Sequence, residues 1–113
     1  MTSPPTGSTA TLPESEPLSV ERISAIAKAL AHPTRVRIIE RLEDGSAVTA
    51  RDIVSECTLA QSTVWEHLRI LREAGVLGTR KDGSRISYSL RHTVLVEFSA
   101  AVVELSGSVL VAT

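Results

Sequence analysis

From Ala60 to Leu77 the chain reads as one short helix with a polar leading end, an apolar spine and a closing glycine. At roughly 100° per residue, Val64, Leu68 and Leu71 share one stripe, while Ser62, Glu66 and Arg69 fall nearly opposite. Gly75 suits the end of that helix, because glycine takes the left-handed conformation many helix C-termini need. Just before it lies a second short amphipathic segment, Thr49 to Cys57, in which Thr49 and Asp52 have capping-box spacing. Just after it, residues 76–81 and 85–90 read as strands around Asp82-Gly83-Ser84, with Ile86, Tyr88 and Leu90 pointing inward.

The flanks complete the pattern. Residues 1–17 hold four of the five prolines among Ser, Thr and Gly, and are expected to form a disordered tail. From Leu18, residues Ile23, Ile26, Ala27 and Leu30 recur at helical spacing, and His32-Pro33 ends that helix. Pro33 can then open a second helix that turns Val36, Ile39 and Leu42 inward and stops at Asp44-Gly45. Ala47-Val48 suggests a very short strand. A last helix is expected from about Thr93 to Ser106. The fold class that follows is mainly α with a small β-hairpin. It is a winged helix-turn-helix of about five helices plus a two- or three-stranded wing. One domain spans residues 18–106, and residues 107–113 form a C-terminal tail.

A winged helix-turn-helix presents its second helix to the major groove of DNA. Gln61 can donate and accept at an adenine edge; Ser62 and Thr63 suit bases or phosphates, and Arg69 a backbone phosphate. Arg80, Lys81 and Arg85 flank the hairpin tip, where a wing reaches phosphates or the minor groove. The formal net charge is only −1, so any basic footprint is local. Double-stranded DNA is the expected partner and the cytoplasm the expected compartment.

Three motifs carry a family resemblance. They are Leu30-Ala31-His32-Pro33-Thr34-Arg35-Val36-Arg37-Ile38-Ile39, then Gln61-Ser62-Thr63-Val64 with His67-Leu68 and Leu71, then Glu73-Ala74-Gly75-Val76-Leu77. With the Asp82-Gly83 wing and Tyr88, the chain resembles the ArsR/SmtB family of bacterial repressors over about residues 18 to 106. The resemblance implies a homodimeric repressor, joined through its first and last helices, that releases its operator when an inducer binds. It also implies DNA contacts from Gln61, Ser62, Thr63, Trp65, His67 and the wing. Three positions depart from the pattern. Ala60 stands where the family usually has a capping Ser, which Thr58 and Gln61 would have to replace as a capping box. Trp65 replaces a small polar residue and is open to three roles: wedge, methyl-contacting plate or packing residue. Glu66 repels phosphate unless it pairs with Arg69 or Arg72, or accepts from a cytosine amino group.

The last helix is apolar on almost every side, with Val94, Leu95, Val96, Phe98, Val102, Val103 and Leu105 broken only by Glu97 and Glu104. A helix of that kind is buried, and a domain this small cannot cover it. The expected dimer contact uses Val94, Leu95, Phe98, Val102 and Leu105 with Ile23, Ile26 and Leu30 of the first helix. Glu97 and Glu104 also argue against a membrane span. The single cysteine, Cys57, reads as a small buried hydrophobe, and no metal site or cofactor is expected. No nucleophile–base arrangement suggests an enzyme. A small-molecule or metal inducer remains open. The rival function is a winged-helix protein-interaction module that uses Trp65 and Ile70 as its surface.

Overall fold

The computed structural model describes residues 18–107. The expected N-terminal tail, and all of the expected C-terminal tail beyond Gly107, lie outside the described residues. Among the described residues, five helices and a three-stranded antiparallel sheet follow the order expected from the sequence. Helix α1 (Val20–Leu30) is capped by Ser19, whose hydroxyl accepts from the Arg22 N–H at 3.1 Å. Helix α2 (Pro33–Leu42) has proline in its first turn, and His32 caps it through Nδ1, which accepts from the Thr34 N–H at 3.1 Å. Its buried residues are Ile38 and Leu42, with Ile39 half-buried and Val36 exposed. The expectation for Val36 was wrong for a geometric reason. Positions two apart along a helix differ by about 200°, so Val36 and Ile38 cannot both face the core.

Strand β1 (Val48–Thr49) runs directly into helix α3 (Ala50–Ser55). Thr49 serves both elements: it pairs with Ser87 of the sheet and forms the expected capping box with Asp52. The reciprocal bonds are 3.1 Å to the threonine hydroxyl and 3.0 Å to the carboxylate. Helix α4 (Gln61–Glu73) closes on Ala74 and Gly75, the latter at φ +85°. There Val76 N–H donates to Leu71 and Gly75 N–H to Arg72, the pair of bonds that defines a Schellman end.

Strands β2 (Leu77–Asp82) and β3 (Arg85–Leu90) form the hairpin, turning at Gly83-Ser84, and β1 completes the sheet in the order β1-β3-β2. Tyr88 and Leu90 face inward as expected, but Ile86 is exposed. The two-residue β1 pairs with β3 only at Ser87 and Tyr88, and Ile86, one residue beyond that pairing, lines the surface troughs beside Trp65. Helix α5 (His92–Leu105) follows, its start tied back by Arg91 N–H donating to Val76 at 2.9 Å.

The core joins Ile26 of α1, Ile38 and Leu42 of α2, Ile53 of α3, the α4 stripe, and Val76, Leu77, Tyr88 and Leu90. Ile26, expected at a dimer contact, is wholly buried within its own chain and is a core residue instead. Cys57, expected to be buried, is exposed. It follows α3 after the helix has ended, so it is not carried on that helix's inner face. Among the described residues no helix is long and apolar enough to cross a membrane.

Candidate nucleic-acid interface

Helix α4 divides cleanly into two faces. Val64, His67, Leu68 and Leu71 are buried, while Gln61, Ser62, Thr63, Trp65, Glu66, Arg69, Arg72 and Glu73 are exposed. Helix α3 and the Thr58-Leu59 turn hold the inner face in place, and the hairpin stands beside the outer one. Its leading end carries no side-chain cap: Ala60 occupies the capping position and no hydroxyl replaces it, so the expected Thr58 substitute does not form. Gln61 is thereby left free of that role.

Trp65 is 42% exposed and stands between two shallow troughs. One trough runs between the start of α4 and the wing tip, lined by Gln61, Arg51, Ser84 and Arg85. The other runs further down α4, lined by Ser62, Glu66, Arg69, Arg72 and Thr79. Ile86 lines both. Arg51 was missed by sequence reasoning. A readable signal existed: a cation in the first turn of a helix opposes the helix dipole, and so invites a reason outside the helix.

The charges on these surfaces are unequal. Arg69 donates to Glu66 and, at 2.9 Å, to Glu73, while Arg72 lies 3.8 Å from Glu73. The hydrogen bonds that Arg69 donates to Glu66 and then to Glu73 hold its guanidinium still more firmly charged, and the same contact holds the Glu66 carboxyl below its ordinary range. Two carboxylates and two guanidiniums leave the middle of α4 without net charge. Arg80, Lys81 and Arg85 are exposed, and none makes an ion pair among the described residues. Three cations against the single carboxylate of Asp82 leave the wing with net positive charge, which the middle of α4 lacks, and of the three Asp52 bears only on Arg85.

His67 requires a correction. It was expected among the outward DNA contacts, yet it is only 7% exposed. It lies three residues after Val64 and four before Leu71, and that spacing puts it on the buried stripe. Its partners are Arg35 and His32, so a role at a base edge is closed to it. Ile70, one half of the surface expected for a protein-interaction module, is half-buried against the core, leaving Trp65 and Ile86 as the exposed apolar pair.

The profile of the bacterial regulatory proteins of the arsR family matches residues 32–79, from the cap of α2 into β2. Over 97 residues the chain is 34% identical to the uncharacterised HTH-type transcriptional regulator Rv0081 of Mycobacterium tuberculosis, covering 86% of this chain and 84% of that one. It is 31% identical over 78 residues to the arsenical resistance operon repressor of Staphylococcus xylosus, covering 69% and 74%. The chain belongs to the arsR family. Its fold is that of a winged helix-turn-helix DNA-binding domain from Mycobacterium bovis, solved as a homodimer, with a TM-score of 0.62 at 21% identity over 79% and 82% of the two chains. As an arsR-family protein it is a DNA-binding transcriptional regulator and not an enzyme. The matched segment contains the whole helix-turn-helix but neither α1 nor α5. Among the described residues of this arsR-family chain, no group of three or more His, Cys, Asp or Glu side chains is placed to hold a metal ion.

Proposed function

We propose that this chain is a homodimeric repressor that binds a pseudo-palindromic operator. In this reading α4 occupies the major groove and the hairpin lies on the flanking backbone. Gln61, Ser62 and Thr63 read base edges at the exposed leading end of the helix. Arg80, Lys81, Arg85 and the newly found Arg51 neutralise phosphates. The observation that carries the reading is the set of unpaired wing cations standing beside a polar, outward helix face.

The dimer is supported by α5, none of whose residues is buried. Val96 is 64% exposed and Leu105 72%, and Val102 and Val103 are exposed as well. Val94, Leu95 and Phe98 are half-buried against the chain's own core, as Leu30 is in α1. An isologous contact through α5 covers the remaining apolar surface, and the half-buried Ile23 of α1 stays available to it. Control by a small-molecule or metal inducer, and residence in the cytoplasm, belong to the same proposal and rest on family membership.

Binding to double-stranded fragments across a range of salt concentrations tests the DNA geometry. Each loss of Arg80, Lys81 or Arg85 removes one phosphate contact per protomer and should flatten the slope of log affinity against log salt by about 1.8, at about 0.9 per contact on duplex DNA. An unchanged slope after all three substitutions would remove the wing from the interface.

A further inference from the structure

His67 faces inward between α4 and the start of α2. Its Nδ1 accepts a hydrogen bond from Arg35 Nε at 3.2 Å, so the ring proton of a neutral His67 resides on Nε2. The same guanidinium donates through Nη1 to the carbonyls of Lys28 and Ala29, each at 3.3 Å. Those carbonyls belong to the last turn of α1, where a cation is favoured; the Lys28 carbonyl also accepts from the Ala31 N–H. One arginine side chain thus ties α4 to the end of α1. The His32 ring lies 4.5 Å from that of His67, with its own Nδ1 already accepting from Thr34.

We propose that Arg35 and His67 are positioning residues for DNA binding: the neutral imidazole accepts from Arg35 and so seats the recognition helix, and its protonation unseats it. The proposal rests on the DNA-binding role argued above. A protonated His67 would set a second N–H against the Arg35 N–H and a second positive charge beside the guanidinium. The charged and titratable groups that bear on it are His32 and Arg35 from the turn and α2, and Glu66 from its own helix. Burial first, then His32 and Arg35, hold its pKa below the ordinary imidazole value, with Glu66 opposing them. For a depressed histidine the sign is fixed. The contribution is complete above the unfolded value of about 6.5 and is lost as the pH falls below it, because the unfolded chain takes up the proton more readily.

The predicted direction separates this arrangement from an ordinary interface histidine. An imidazole exposed on a DNA-facing surface gains a positive charge in acid and strengthens phosphate binding. A buried latch weakens it. The experiment follows the three imidazoles of the full chain by NMR, and duplex affinity at constant ionic strength, from about pH 7.5 to about pH 5.5. His67 should titrate below about 6.5, and affinity should fall about two- to tenfold over that range. In His67→Gln, whose amide oxygen still accepts from Arg35, the acid loss should disappear. In Arg35→Met, the His67 titration should move upward. Titration of His67 at or above about 6.5, a gain of affinity in acid, or an acid loss retained in His67→Gln would each overturn the proposal. Should His67→Gln fail to fold, the titration and affinity profile of the unaltered chain decide the matter. If no duplex binds at any pH, the DNA-binding reading fails, while the His67 titration and the pH dependence of unfolding, followed by the fluorescence of Trp65, still judge the latch.

Discussion

Arg69 donates through Nε and Nη2 to both carboxylate oxygens of Glu66, at 3.1 and 2.5 Å. An arginine on the outward face of a recognition helix is a natural phosphate ligand, but this one is already engaged and Glu73 holds its remaining arm. Arg69→Ala should therefore leave the salt slope of DNA binding close to wild type, unlike substitutions in the wing. The double change Glu66→Gln with Glu73→Gln should steepen it by up to about 1.8, since it releases Arg69 of each protomer to the backbone. Anisotropy titrations at several salt concentrations read both effects. A slope flattened as much by Arg69→Ala as by Arg85→Ala would mean that the arginine abandons its carboxylates on binding.

The missing cap of α4 predicts a gain. Ala60 already has the extended conformation of a capping residue, at φ −65° and ψ 150°, but brings no oxygen to the free N–H groups beyond it. Ala60→Ser should stabilise the fold by about 0.5–2 kcal/mol in urea denaturation. Thr49→Ala, which dismantles the capping box of α3, should cost about 1 kcal/mol. A neutral or negative result for Ala60→Ser would show that the leading N–H groups are satisfied in some other way.

Gly75 and Gly83 both have positive φ, yet they should respond differently to alanine. At each position the left-handed backbone alone costs an L-residue about 1–2 kcal/mol. At Gly75 a methyl group would also approach the Arg22 guanidinium to 3.0 Å, and that guanidinium donates to the Ala74 carbonyl at 2.7 Å. At Gly83 the space is open. Gly75→Ala should thus be the more destabilising of the two by urea denaturation; equal losses would contradict the closeness of α1 to the end of α4.

Self-association should depend on the exposed apolar positions of α5. Val102→Glu with Leu105→Glu places two charges where the proposed dimer is apolar, and should turn a dimer into a monomer at micromolar concentration by sedimentation. Both side chains are exposed within the chain, so the fold itself should survive. A wild-type chain that already sediments as a monomer would remove the dimer from the account.

The elements were legible because each carries its own local signal. Thr49 and Asp52 announce a helix start, Gly75 a helix end and Asp82-Gly83 a hairpin, and all three are found in place. What the sequence hid was the direction taken by residues that fit two environments. His67 reads as polar and therefore outward, but the spacing of Val64 and Leu71 places it inside, where Arg35 supplies the polar partner. Ile26 reads as a dimer-contact residue and Ile86 as an inward residue of the hairpin. The first fills the core of its own chain, and the second lies near the hairpin tip in the open troughs beside Trp65. Cys57 turned outward because α3 stops before reaching it. The face of α4 and the balance of its charges were readable from the sequence, whereas the engagement of Arg69 by both Glu66 and Glu73 depended on rotamers.

Recovery of genomic DNA fragments by the full chain, followed by alignment of the bound sequences, tests the central claim most directly. Two copies of α4 related by a twofold axis require fragments that share an inverted repeat, with half-site centres about one helical turn, or about 34 Å, apart. Fragments with a single unrepeated element, or none retained above a protein-free control, would contradict the paired recognition helices on which the account rests.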